Sequence, residues 1–149
     1  IRRQRQMCIR DRIKRTKDKL RVYGSYSREI SKLRVWLLDL KTYLWLHEDW
    51  PEQAAREMHI RGLDNKHPPG QQLCVQKAAI EAYLEQLRAA RSALGLDDWL
   101  DSLSMEDRQI VQLVYEEGYS YQAAAPMVNM SKPGLQYRIN KICKNSIRV

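Results

Sequence analysis

Gln136, Tyr137, Asn140, Lys141 and Lys144 recur in pairs at the interval that places side chains on one face of a helix. Their chemistry suits a polyanion with a patterned edge. A carboxamide sets a donor beside an acceptor, the pair an adenine edge needs, and an ammonium reaches guanine or a phosphate. A phenol stacks or bonds to phosphate. On the opposite side Leu135, Ile139 and Ile142 form an apolar stripe, so the helix has a core to rest on. From Ser131 onward the chain holds five basic residues and no acidic one. This face is expected to enter a groove of double-stranded DNA.

The elements that must present this face are legible from their punctuation. Ser131 can cap the helix, and Asn129 suits the positive φ of the tight turn before it. Ser120 can cap a preceding helix with Ala124, Met127 and Val128 on its apolar side. Before that, Ser104 with Asp107 at the third helical position opens a helix in which Ile110, Val111, Val114 and Tyr115 recur at helical spacing. Gly118 fits the left-handed residue that closes it. Three short helices are expected, the last two in the order and spacing of a helix-turn-helix.

The string Leu103-Ser104-x-Glu106-Asp107-Arg108-x-Ile110-Val111-x-Leu113-x-Tyr115-x-Glu117-Gly118-Tyr119-Ser120-Tyr121, closed by Ser131-Lys132-x-x-Leu135-x-Tyr137-Arg138-Ile139, resembles the helix-turn-helix of bacterial sigma factor region 4. It is closer still to the phage late-gene activators of the RinA and ArpU type. Architecturally the likeness extends over about residues 27 to 147, because proteins of that group place a helical hairpin before the module. The resemblance implies a DNA surface on Lys132, Gln136, Tyr137, Asn140 and Lys141, with Ser131 as the cap. Together with Lys144 these give the expected division: Lys132, Lys141 and Lys144 supply phosphate affinity, while Gln136, Tyr137 and Asn140 select bases. Arg138 lies nearer the core flank. The chain departs from the pattern twice. Pro126 stands inside the helix before the turn, where an interior proline costs about 3 kcal/mol, so that helix must kink or be short. Gly134 leaves a usual contact position without a side chain.

Upstream, Ile30, Leu33, Leu37, Leu40 and Leu44 alternate spacings of three and four, and Leu73, Ile80, Leu84, Leu87 and Leu94 share the rhythm. Residues 27–94 therefore read as an antiparallel helical hairpin, coiled-coil-like and able to dimerise. Its long tip, Trp50 to Gly70, carries Pro51, Gly62 and His67-Pro68-Pro69-Gly70, with a short helix from about Pro51 to Ile60. Gly95 closes the hairpin, and residues 95–103 form an acidic connector to a domain at 104–149. The fold class expected is all-α: this hairpin, then a sigma-region-4-like helix-turn-helix.

Residues 1–26 read as a basic arm. The net charge of +8 equals that of residues 1–21, which hold ten Lys or Arg and two Asp. Within it Arg3-Gln4-Arg5-Gln6-Met7-Cys8-Ile9-Arg10-Asp11-Arg12 resembles the translation of a sequencing adapter, so residues 1–12 are set aside from fold reasoning. Lys14, Arg15, Lys17, Lys19 and Arg21 still offer phosphate contacts; a solvated charge run is the bland reading.

Composition bounds the rest. Hydrophobic residues at 44% with charged residues at 30% suit a globular chain. No apolar run approaches the roughly 20 residues that span a bilayer, and no signal-peptide pattern stands out, so no membrane association and a cytoplasmic location are expected. Cys8, Cys74 and Cys143 form no Cys-x-x-Cys pair and read as reduced, partly buried thiols. His47, His59 and His67 lack the i, i+4 pairing of a metal site, and neither a phosphate-cradling glycine loop nor a Gly-x-Ser-x-Gly nucleophile motif occurs. Asp97-Asp98 and Glu116-Glu117 read as helix-terminal or solvated charges. No catalysis, metal or cofactor is expected. Three alternatives stay open beside a transcriptional regulator of phage or prophage genes: sigma-like contact with RNA polymerase, a DNA-packaging protein like a phage terminase small subunit, and a helical module that binds another protein through Trp36, Trp45 and Trp50.

Overall fold

A single helix, α1 (Arg2–Leu46), opens the chain. Its sequence contains no proline and one glycine, Gly24, and is dominated by Lys, Arg and Leu, which carry little helical penalty. The structure, a computed structural model, describes residues 2–46 and 69–146. Their regular structure is all helical, with no strand among the described residues: the long N-terminal helix packs against a second one, α2 (Pro69–Ser92), and several short helices follow. No helix among the described residues is long and apolar enough to cross a membrane.

The basic segment is thus not an arm ahead of a hairpin that starts at Ser27; its residues from Arg2 onward are already α1. The physical reason lies in a seam. Ile13, Thr16, Leu20, Tyr23, Ser27 and Ile30 alternate intervals of three and four, and all but the partly buried Ile13 are buried. Hydroxyl residues at two of the six positions interrupt the apolar rhythm.

The chain divides into two compact units, Ile1–Arg28 with Ala89–Val149, and Glu29–Arg88. In the latter, Ile30, Leu33 and Leu40 of α1 and Leu73, Ile80, Leu84 and Leu87 of α2 are buried, which is the expected seam. Leu37 and Leu44 are half-buried. Lys41 and Glu81 pair across the two helices at 3.2 Å, an exposed contact of small energetic weight. Trp36 is 46% exposed. Of the expected tip, Pro69 and Gly70 are already the first turn of α2, where a proline at the first helical position costs no hydrogen bond; the rest, with the short helix expected near Pro51 to Ile60, Trp50, His59 and His67, lies outside the described residues, as do His47 and the side chain of Trp45.

The other unit joins the start of α1 to four short helices: α3 (Asp97–Asp101), α4 (Met105–Val111), α5 (Tyr121–Met127) and α6 (Lys132–Asn145). Gly95, at φ +67°, follows the end of α2 as expected. The connector is more than a link, because it contains α3 and completely buries Leu96 and nearly all of Leu100. These leucines join Leu20 and Tyr23 of α1, Ile110, Val111, Leu113, Tyr115, Ala124 and Ala125, and Leu135, Ile139, Ile142 and Cys143 of α6 in one core. Removing a leucine of this kind from water stabilises the fold by about 1.5–3 kcal/mol.

Polar contacts fix α1 at both ends of this core. The Thr16 and Ser146 hydroxyls meet at 2.8 Å, and Ser146 Oγ donates to the Cys143 carbonyl at 2.7 Å, so Thr16 is the donor to Ser146. Tyr23 donates to Asp97 Oδ1 at 2.9 Å, and the Arg91 guanidinium lies over the Tyr23 ring, 5.3 Å from its centroid. Next to Tyr23, Gly24 lies against the Tyr115 carbonyl.

Two of these buried groups make stability depend on alkaline pH. Burial pushes the Cys143 thiol up from 9.0 to about 11. Burial, then the hydrogen bond to Asp97, pushes the Tyr23 phenol up from 10.0 to about 12. In each case the native state holds its proton where the unfolded chain releases it, so stability falls as pH rises above the unfolded pKa and levels beyond the folded one. The urea midpoint is expected to decline from about pH 9 upward, the Tyr115 phenol, which burial also raises, adding to the fall above about pH 10. Cys143→Ala should be less stable at neutral pH yet lose the part of the decline between pH 9 and 11. An unchanged pH profile in that variant would remove the thiol as a cause.

Candidate nucleic-acid interface

Helix α4 begins where the sequence places it: Ser104 Oγ accepts the Asp107 amide at 3.3 Å. Beyond Val111 the backbone widens into a π-helical turn, Gln112–Glu116, which nothing in the spacing announces. Glu117 N donates to the Gln112 carbonyl and Tyr119 N to the Leu113 carbonyl, with Gly118 at φ +84°. Last-turn carbonyls that lack helical donors need partners elsewhere. Arg28 of α1 supplies them, donating to the Tyr115 carbonyl at 2.6 Å and to the Glu116 carbonyl at 3.4 Å. Arg108 pairs with Glu116 and ties α4 to the same turn.

Helix α5 opens on Ser120, whose Oγ accepts the Ala123 amide at 3.2 Å. Pro126 is accommodated by brevity: the helix ends at Met127, so one interior hydrogen bond is lost from a helix of seven residues. Met127 is 49% exposed, not part of the apolar face expected for it; Ala124 and Ala125 fill the core there, and Val128 is partly buried. The turn then closes with Asn129 at φ +54°, as its residue type foretells, and Met130 N donates to the Ala125 carbonyl at 2.9 Å.

Helix α6 is capped by Ser131, whose Oγ accepts the Gly134 amide at 3.2 Å. The glycine at 134 has a local reason, since a Cβ there would lie 3.0 Å from that capping oxygen. Leu135, Ile139 and Ile142 are buried as expected, and Cys143 joins them. On the other side Lys132, Gln136, Lys141 and Lys144 are exposed, and Tyr137 is 71% exposed. Gln136, Tyr137, Lys141 and Lys144 are therefore open on one side of the helix, Lys132 is open in its first turn, and Asn140 is half-buried.

The two borders of this face differ. On one, Arg138 Nε donates to Asp107 Oδ1 of α4 at 2.6 Å, and that hydrogen bond raises the Arg138 pKa above its ordinary value. Arg138 acts as a brace between helices, in keeping with its position near the core flank. On the other border Asn140 lines a cleft of about 340 Å³ with Arg10, Ile13, Lys14, Lys17 and Arg21 of α1. Its place beside α1 was hidden because reading residues 1–26 as an arm gave α6 no neighbour on that side. The intervals 13, 16, 20, 23 were the signal.

The chain matches no protein-family model, no curated protein and no solved structure.

Proposed function

We propose that this protein is a sequence-specific DNA-binding regulator of transcription, acting through a helix-turn-helix of the sigma region 4 kind formed by α5 and α6. The observation that carries the reading is the bare polar face of α6: it holds two lysines, a glutamine and a tyrosine in an acid-free segment, with Lys132 exposed in the first turn, while its opposite face is fully committed to the core. A helix seated in this way offers its outer side chains to the major groove at little cost, because their positions are set by packing beneath them. The regulated genes are phage or prophage genes in this reading, which rests on the resemblance to late-gene activators.

Roles divide by reach. Lys132, Lys141 and Lys144 neutralise phosphates, and Gln136 and Tyr137 meet base edges. Asn140, half-buried beside α1, contacts backbone at the border of the groove. Lys141→Ala is expected to weaken binding to every duplex alike and to lower the slope of log affinity against log salt by about one. Gln136→Ala should instead flatten preference at one base pair, a discrimination of about 1–3 kcal/mol, and leave the salt slope unchanged. Competition titrations with a preferred duplex and its single-base variants check both. Equal losses on all duplexes from both substitutions would contradict the division.

A further inference from the structure

Arg10, Lys14, Lys17 and Arg21 stand at intervals of four, three and four on α1, so they form one stripe along a helix that is anchored in the core by Leu20 and Tyr23. Four cations and Asn140 line the cleft between this stripe and α6, and no carboxylate lines it. Lys14 is exposed and Lys17 half-buried, and neither has a salt-bridge partner among the described residues, whereas Arg21 shares its guanidinium with Asp18 at 2.5 Å. Cations gathered beside a proposed reading helix, with one carboxylate, that of Asp18, paired to one of the four, favour an extended anion.

From these observations we infer that α1 is a second DNA-contacting element, a rigid basic rail that binds the phosphodiester backbone flanking the groove entered by α6. The inference rests on the DNA-binding reading given above. From Arg10 to Arg21 the stripe covers about 16 Å of helix, while one strand of a duplex places a phosphate every 3.4 Å or so along its axis. The rail is therefore long enough to meet several phosphates of one strand. Because it is part of the folded unit, its ammonium groups are held at the backbone without the ordering cost of a flexible arm. Asn140 belongs to both surfaces and fixes their register, by bonding to the phosphate at the cleft.

The test compares the full chain with Lys14→Gln and with Lys14→Gln/Lys17→Gln, using a fixed 30-base-pair duplex over a fourfold range of salt. Both lysines lie outside the stretch that resembles an adapter. Removing two phosphate contacts should lower the salt slope by about 1.8, so the unaltered protein should lose roughly tenfold more affinity than the double variant across that range. Preference among duplexes should stay the same. An unchanged slope in the double variant, with the unaltered protein binding, would overturn the rail and leave the α6 reading standing. Absence of salt-sensitive binding by the unaltered protein would overturn both. The exposed Lys14→Gln variant should show about half of the effect; if it keeps the full slope while helical content is lost only in the double variant, the rail is likewise rejected.

Discussion

Gly24→Ala is expected to destabilise the protein by about 3 kcal/mol or more, the upper end for overpacking. Helix propensity alone gives the opposite sign, because Ala in the middle of a helix is favoured over Gly by up to about 1 kcal/mol. The difference is made by one contact. A Cβ at position 24 would overlap the Tyr115 carbonyl, and its third near neighbour is the Arg28 guanidinium that donates to the same oxygen. Neither backbone can yield freely: α1 is held on one side by Thr16 and Leu20 and on the other by Arg28, and Tyr115 is itself buried in the π turn. Relief requires α1 to lift away from the turn, exposing Leu20 and Tyr23. Thermal and urea unfolding would measure the loss, and a variant as stable as the parent would show that α1 does not approach the turn this closely.

Leu20→Ala is the second large effect, with an expected loss of about 2–5 kcal/mol, covering the lost burial and the cavity left behind. Leu20 is fully buried in the core that supports α6. Read as part of a basic arm, the same residue would be nearly free to change, since surface substitutions usually fall within about 0.5 kcal/mol. The size of this loss therefore decides between a helix built into the C-terminal unit and an appendage. In the present account DNA affinity at low temperature should fall less than stability, because the altered side chain faces away from the duplex.

Most of the three-helix punctuation was legible because each signal is local. Ser104, Ser120 and Ser131 all cap, and Gly95, Gly118 and Asn129 all take positive φ. Each reflects a preference decided within four residues of chain. The buried seam of Ile30, Leu33, Leu40, Ile80, Leu84 and Leu87 was legible for a related reason, since one helix face repeats a single chemistry. Long-range choices were less visible. Thr16 and Ser27 occupy seam positions as hydroxyls and are satisfied by distant partners, Ser146 for one and Arg91 at 3.4 Å for the other. Without those partners in view the basic segment looked like solvated charge. The π turn had no signature, because its carbonyls are answered by Arg28, 87 residues away from Tyr115. At the candidate interface, Gln136, Tyr137, Lys141 and Lys144 could be placed on one face by periodicity and Lys132 only by the resemblance, but the burial of Asn140 depends on α1 and could not be read.

The role proposed for α6 is that of a DNA-reading helix. The most direct measurement is selection by the full chain from a pool of random-sequence duplexes at two salt concentrations. Enrichment of a defined site whose affinity falls with salt is the expected result. Binding without enrichment would contradict sequence-specific reading and favour a packaging role. No binding at low salt would contradict DNA binding itself and favour a protein-interaction module.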